Sequence, residues 1–235
     1  MFRDREDAAY QLARRLKGRA LRDPLVLAIP RGGVVTGAVL ARELGAELDV
    51  VLSRKLRAPL QPELALGAVS EDGEVYLNPV AREILELTDE YVAEERRHQL
   101  AEIARRQKLF RAVRPPASMT DRSVIVTDDG IATGATMMAA LHSVRGQQPH
   151  EVIVAVPVAS PDRLEEVRRF CDEVVCLLTP EDFWAVGQFY EDFTAVEDEQ
   201  VVELLRGFAP APPDEGDGTR APKARPTAGR RSGTR

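Results

Sequence analysis

Val124 to Thr136 reads VIVTDDGIATGAT, and the fold follows from how these residues are divided. Val124-Ile125-Val126 is a β-branched apolar run bounded by polar residues, the pattern of a buried strand. Met137 to Val144 (MMAALHSV) restores apolar spacing at helical period, so a helix follows. Gly130 to Thr136 is a turn of small residues between them. A strand–loop–helix unit of this kind aims several backbone N–H groups and a positive helix end at one point, which suits a phosphate. Asp128 and Asp129 sit at the carboxyl end of the strand, beside that point. Phosphate donors on one side and two carboxylates on the other suit a sugar phosphate, with its anion at one end and its hydroxyls at the other.

Outward from this unit, strands and helices alternate. Upstream, Leu25 to Ile29 (LVLAI) is a strand that runs into Pro30-Arg31-Gly32-Gly33, and a helix from Val34 to Leu44 is ended by Gly45. Leu48 to Leu52 is a second strand, finishing in Ser53-Arg54-Lys55. Leu56 to Pro62 reads as a proline-punctuated loop, while Ala65 to Val69 and Val75 to Leu77 flank Glu71-Asp72-Gly73 as a hairpin. A short helix is expected at 79–87. A longer, heavily charged one runs from Asp89 to Val113, its sparse apolar positions suited to a domain edge or a partner, and Pro115-Pro116 stops it. Downstream, Val152 to Val156 is a strand, Pro161 to Phe170 a helix and Val174 to Leu178 the last strand. Pro180 to Phe193 is aromatic and irregular, and Asp198 to Leu205 closes the domain as a helix. At the start of the chain Ala8, Ala9, Leu12, Ala13 and Leu16 recur at helical spacing within Phe2 to Leu21, an amphipathic helix for the domain's flank.

This alternation implies an α/β fold: a mostly parallel twisted sheet with helices on both faces. In such sheets ligands bind beyond the carboxyl ends of the strands, where strand order switches. Loops 30–33, 53–62 and 128–136 end at that rim, and the aromatic segment 180–193 can reach it.

With 235 residues, 44% of them hydrophobic, the chain can fill one α/β core, assigned to residues 1–208. Residues 209–235, rich in Pro, Gly, Arg and small residues, read as a disordered basic tail. Six of the 32 basic and three of the 38 acidic residues lie in that tail, so the body holds 26 basic and 35 acidic residues, a net −9. An acidic body argues against general nucleic-acid binding. The tail's composition fits either a tether or a disordered end without function. Two cysteines, Cys171 and Cys176, in apolar surroundings suggest reduced thiols and a cytoplasmic protein. No apolar run suits a signal peptide or a membrane span.

Residues 124–136 resemble the ribose-5-phosphate motif of the type I phosphoribosyltransferases: four mainly apolar residues, two acids, then a loop ending in Thr-Gly-x-Thr. Other glycine-rich motifs fit worse, since there is no GxxxxGK[ST] and no GxGxxG after a strand. An acid pair at a strand end also suits a receiver-like domain, but the TGAT of Thr133 to Thr136 argues against it. Ile29-Pro30-Arg31-Gly32-Gly33 is similar to the family's pyrophosphate loop, particularly that of bacterial xanthine-type enzymes, where a non-proline cis peptide is frequent and here would be Pro30–Arg31. The resemblance spans roughly 25–193 and is greatest to bacterial members of unassigned substrate. It implies the family's fold with a small C-terminal hood and a helical insertion, and a homodimer.

The resemblance also implies chemistry in nucleotide metabolism: transfer of ribose 5-phosphate from phosphoribosyl diphosphate (PRPP) to a small nitrogenous acceptor, such as a nucleobase, with release of pyrophosphate. Asp128 and Asp129 would be the catalytic acids, bonding the ribose hydroxyls beside a developing oxocarbenium ion. Gly130, Ile131, Ala132, Thr133, Gly134, Ala135 and Thr136 would cradle the 5-phosphate, although Thr133 also suits a plain N-cap. Pro30, Arg31, Gly32 and Gly33 would bind pyrophosphate. Arg54 and Lys55 would meet it too, or form a solvated basic pair. Phe183 or Trp184 would stack the base, or belong to the core. Mg²⁺ would arrive on PRPP, held mostly by substrate oxygens and water, with no metal-binding residues expected from the protein. Two departures bear on the acceptor. Ala132 stands where the 6-oxopurine enzymes have an aspartate base, and Val152 to Val158 lacks the lysine that reads a purine 6-oxo group. Both count against hypoxanthine and guanine, and they leave open a non-catalytic PRPP-binding regulatory module.

Overall fold

The apolar runs assemble into a five-stranded parallel sheet in the computed structural model, which describes residues 1–59, 61–77 and 88–208. Its strands are β1 (Leu25–Ala28), β2 (Glu47–Val50), β6 (Ser123–Thr127), β7 (Glu151–Val158) and β8 (Glu173–Leu178), in the order β2-β1-β6-β7-β8. β1, β6 and β7 are nearly continuous in apolar residues, because both faces are covered. Side chains alternate between the faces. Val26, Ala28, Ile125 and Ile153 pack with α1 (Arg5–Leu16), α2 (Gly32–Leu44) and α6 (Asp198–Arg206). Leu25, Leu27, Val124, Val126 and Val154 pack on the other side with α4 (Ala135–Gly146) and α5 (Pro161–Arg168). Gly45 ends α2 in the left-handed region (φ 62°), as its sequence position predicts.

β1 pairs with β2 on one side and β6 on the other, so the chain reverses direction across the sheet between β1 and β6. That is the switch point. The loops leaving β1 and β6 lie side by side there, at the carboxyl ends of the strands where such folds bind ligands.

Between β2 and β6 lies an insertion. β3 (Ser53–Ala58), β4 (Gln61–Ser70) and β5 (Val75–Leu77) form a separate antiparallel sheet. This corrects the reading of Leu56 to Pro62 as a loop. Leu56 to Ala58 belong to β3, and Gln61 with Pro62 open β4. The prolines misled because they punctuate the end of a hairpin: Pro59 lies between the strands, and register shifts at Leu56/Arg57 and Arg57/Ala58 make this ladder irregular. Proline, lacking an N–H, is tolerated at strand starts and bulges. The β4–β5 hairpin agrees with the sequence.

α3 (Asp89–Arg111) covers this second sheet. Ile103 and Phe110 are buried in the core they share with Leu56, Leu66 and Val69, so the sparse apolar face of the helix is used within the chain. A buried ionic group joins insertion to sheet: Arg111 donates to Asp49 at 2.5 Å, to the Val50 carbonyl at 3.1 Å and to Glu71 at 3.1 Å. The Thr88 hydroxyl caps α3, accepting from the Tyr91 N–H at 3.2 Å. Thr88→Ala is expected to lower stability by about 1 kcal/mol, read as an earlier urea midpoint with unchanged slope.

Cys171 and Cys176 are free and half-buried, and burial pushes both thiols up to about 11. Among the described residues no helix is long and apolar enough to cross a membrane. The helix expected at 79–87 and the tail at 209–235 lie outside the described residues.

Candidate active site

The loop after β6 is built to present backbone at one point. The Ile131 N–H donates to the Val158 carbonyl at 2.9 Å, which pins the loop to the end of β7. Gly130 lies against Val186 and Val158, where a Cβ would come within 2.7 Å and 3.0 Å of their methyl groups. Gly134 is the N-cap of α4 and has φ 77°, a left-handed conformation that turns the chain into the helix. The N-cap is therefore Gly134, not Thr133, whose exposed side chain is left beside the opening. The Ser53 hydroxyl donates to the Thr136 carbonyl at 3.1 Å, tying the start of β3 to the first turn of α4.

These elements line a cavity of about 450 Å³. It is lined by Asp128, Gly130 to Gly134, Thr136 and Met137, together with Lys55 and Trp184 to Val186. Ala135 is the first residue of α4 within the same loop. Lys55 and Asp128 are the ionisable side chains among these lining residues.

The pair Arg54-Lys55 divides. Successive residues of a strand face opposite ways, so Lys55 lines the cavity while Arg54 turns to α3 and donates to Gln99 at 2.7 Å. Burial lowers the Arg54 pKa, with Arg106 as the next cause. Arg54 is therefore not among the residues that line the cavity. The aromatic pair divides too. Trp184 is 89% exposed at the rim, whereas Phe183 packs on Phe189 with ring centroids 5.3 Å apart.

The loop after β1 meets the acid pair from the opposite side of the switch point. The Pro30–Arg31 peptide is cis. A Cβ on Gly33 would lie 2.9 Å from the Asp128 Cα, and one on Gly32 would lie 1.9 Å from Asp129 Oδ2. Two glycines are therefore needed for this loop to touch the acids. The Arg31 side chain turns outward and pairs with Glu197 at 2.6 Å.

The acids differ. Asp128 faces the cavity, and its Oδ1 accepts from the Asp129 N–H at 2.8 Å. Burial first, and then the charge of Asp129, raise its pKa well above the ordinary carboxylate value. Asp129 turns away, its Oδ2 accepting from Arg5 Nε at 2.8 Å. The Tyr190 hydroxyl donates to the Asp129 carbonyl at 2.6 Å, and burial raises that phenol's pKa, with Asp129 the next cause. Sequence reasoning missed Arg5 and Tyr190. Arg5 reads as one more charge on an amphipathic helix, and its contact with Asp129 spans 124 positions.

A parallel sheet with a backbone-donor loop, an acid pair and a second glycine loop meeting at its switch point is the type I phosphoribosyltransferase fold. Residues 3–194 match the phosphoribosyl transferase domain, and the chain belongs to that family. It is 47% identical to TT1426 of Thermus thermophilus, whose crystal structure superposes with a TM-score of 0.78 over 89% of this chain and 99% of that one. Rv0571c of Mycobacterium tuberculosis, whose name assigns it provisionally to the phosphoribosyl transferases, is 43% identical over 215 residues. That match takes in 90% of this chain and 48% of the relative, so the chain spans about half the length of the mycobacterial protein.

Proposed function

We propose that this chain transfers ribose 5-phosphate from PRPP to a nitrogenous acceptor. The observation that carries this reading is the meeting, on one cavity at the switch point, of the Gly130–Thr136 loop, Asp128, Lys55 and Trp184. The loop's N–H groups and the Thr133 and Thr136 hydroxyls suit the 5-phosphate. Pro30 to Gly33 and Lys55 suit the diphosphate. Trp184 suits a flat acceptor, which stacks on an indole face.

In the reaction the acceptor nitrogen bonds to the anomeric carbon as the bond from that carbon to the diphosphate oxygen breaks, and the leaving pyrophosphate takes the electron pair. Positive charge grows on the ribose. Asp128 places negative charge beside it and accepts from a ribose hydroxyl, an interaction that strengthens as the charge develops. Mg²⁺ enters as part of the substrate, bound to the diphosphate, and offsets charge on the leaving group. Among the described residues, no three or more His, Cys, Asp or Glu side chains are grouped to hold a metal ion.

The acceptor is narrowed by what lines the cavity. Ala132 carries no group that can take a proton, and the ionisable lining side chains are Lys55 and Asp128. The proton that a nucleobase ring N–H sheds on forming the new bond therefore passes to the leaving pyrophosphate or to water, and Val152 to Val158 offers no lysine to read a 6-oxo group.

Purified protein with Mg²⁺ and PRPP, tested against a panel of bases for pyrophosphate release, checks the reading. Release is expected with an adenine- or uracil-like acceptor and not with hypoxanthine or guanine. Tight PRPP binding with a silent panel would turn the reading to a PRPP-binding regulator. No PRPP binding would end it.

A further inference from the structure

Asp129 is held from a direction that phosphoribosyl transfer does not require. Arg5 is the first residue of α1, yet its side chain is 10% exposed and that of its partner Asp129 is 15% exposed. Arg5 Nε donates to Asp129 Oδ2 at 2.8 Å, and Nη1 donates to the Thr194 carbonyl at 2.8 Å. The guanidinium carbon lies 3.8 Å over the Phe193 ring. The guanidinium is thus fixed by a carboxylate, a carbonyl and an aromatic face, from two distant parts of the chain. Gly32 closes a further side, since a Cβ there would also come within 2.8 Å of Arg5 Nε. N-terminal helix, glycine loop, acid pair and C-terminal hood all meet at this one ion pair.

We propose that Arg5 is a positioning residue for the acid pair: it holds Asp129 outside the cavity in an ion pair and leaves Asp128 as the carboxylate that meets the ribose. The proposal rests on the phosphoribosyl reading above and deepens it by giving the two acids different work. Adjacent carboxylates oppose each other's ionisation. The Arg5 charge offsets the charge of Asp129 and favours ionised Asp128, against burial and against Asp129 itself. The charged and titratable groups around Asp128 are Asp129 on the same loop, Arg5 from α1, Lys55 from β3 and the Tyr190 phenol from the hood. Removing Arg5 leaves Lys55 as the cation on the cavity side.

The role can be read in the free protein. Carboxyl-carbon NMR of aspartate-labelled protein, with Asp128 assigned through Asp128→Asn, follows the Asp128 titration without any ligand. Arg5→Ala is expected to raise that midpoint by about one pH unit, with Arg5→Lys between it and wild type, since lysine keeps the charge and loses the fork. Arg5→Gln keeps a donor for Asp129 and removes the charge, so it separates electrostatics from packing should the alanine variant fold poorly. The same variants, titrated with Mg²⁺ and PRPP through the emission of the single tryptophan, Trp184, are expected to bind up to about tenfold more weakly at low pH and to recover as pH rises. An unmoved midpoint in folded Arg5→Gln, or a fall in melting temperature with no change in midpoint or pH profile, overturns the proposal. A wild-type protein that ignores PRPP overturns the phosphoribosyl reading instead, and the midpoint still decides the role of Arg5.

Discussion

Asp128→Asn is expected to weaken binding of Mg²⁺–PRPP by about ten- to a hundredfold, and at the same time to raise the melting temperature of the free protein. The first effect follows from charge. Asparagine keeps the size of the side chain, and its carbonyl can still accept from the Asp129 N–H, the 2.8 Å bond that shapes the turn. What it loses is the carboxylate at the ribose. A hydrogen bond to a charged acceptor is worth about 1.5–3 kcal/mol, and about 3 kcal/mol corresponds to a hundredfold in affinity. The second effect follows from the sign of the pKa shift. Burial and the neighbouring Asp129 raise the folded-state pKa of Asp128 above its unfolded value. Such a group favours folding only while protonated. That contribution is complete below the ordinary carboxylate pKa and is lost as pH rises through the raised one, so at pH 7 an ionised Asp128 opposes folding. Removing the charge relieves that opposition, and the gain in melting temperature should shrink as pH falls toward the range where the wild type is itself protonated. Calorimetry of both proteins from pH 4 to 8, with PRPP titrations at pH 7, reads both effects. Binding within threefold of wild type would remove Asp128 from the ribose.

Much of this site is legible in the order of residues, for reasons that are local. Val124 to Thr127 and Leu25 to Ala28 are short apolar runs that end in polar or small residues, so both strands and the loops leaving them can be read without knowing what they pack on. Gly45 marks its turn for the same reason. What escaped is set by distance or by face. The β3 strand was hidden by Pro59 and Pro62, whose effect depends on whether a partner strand needs their missing N–H, and at an irregular hairpin end it does not. Arg54 and Lys55 look equivalent as neighbours. Once Ser53 to Ala58 is a strand, period two sends them to opposite faces, one to Gln99 and one to the cavity. Arg5 was invisible for a different reason. A cation at the start of an amphipathic helix is unremarkable until the fold carries Asp129, Phe193 and Thr194 to it. The two acids read as a symmetric pair, and it is the third dimension that makes one face the cavity and the other face Arg5.

Gly32→Ala tests whether that convergence is as tight as it looks, and the change should cost about 3 kcal/mol or more of stability. Gly32 opens α2, where alanine would be favoured by helix propensity. Backbone conformation therefore does not require glycine here; space does. An added Cβ would lie 1.9 Å from Asp129 Oδ2 and 2.8 Å from both Asp129 Cγ and Arg5 Nε. A long exposed side chain could swing aside at little cost. Asp129 cannot, because Arg5 holds its carboxylate and Tyr190 its carbonyl. The methyl group must then either push the glycine loop outward or break the ion pair, and both separate the loop after β1 from the loop after β6. For a domain of this size the loss corresponds to a fall in melting temperature of roughly 6–12 °C. PRPP binding should fall by more than partial unfolding explains, because the displaced group is the one that sets the position of Asp128. Gly146→Ala is the matched control: it also lies in a helix, and a Cβ there meets nothing within 4 Å. That variant should melt at or slightly above the wild-type temperature. If Gly32→Ala melts and binds PRPP like Gly146→Ala, the glycine loop and the acid pair do not touch in solution, and the assignment of residues 30–33 to the same site as Asp128 fails with them.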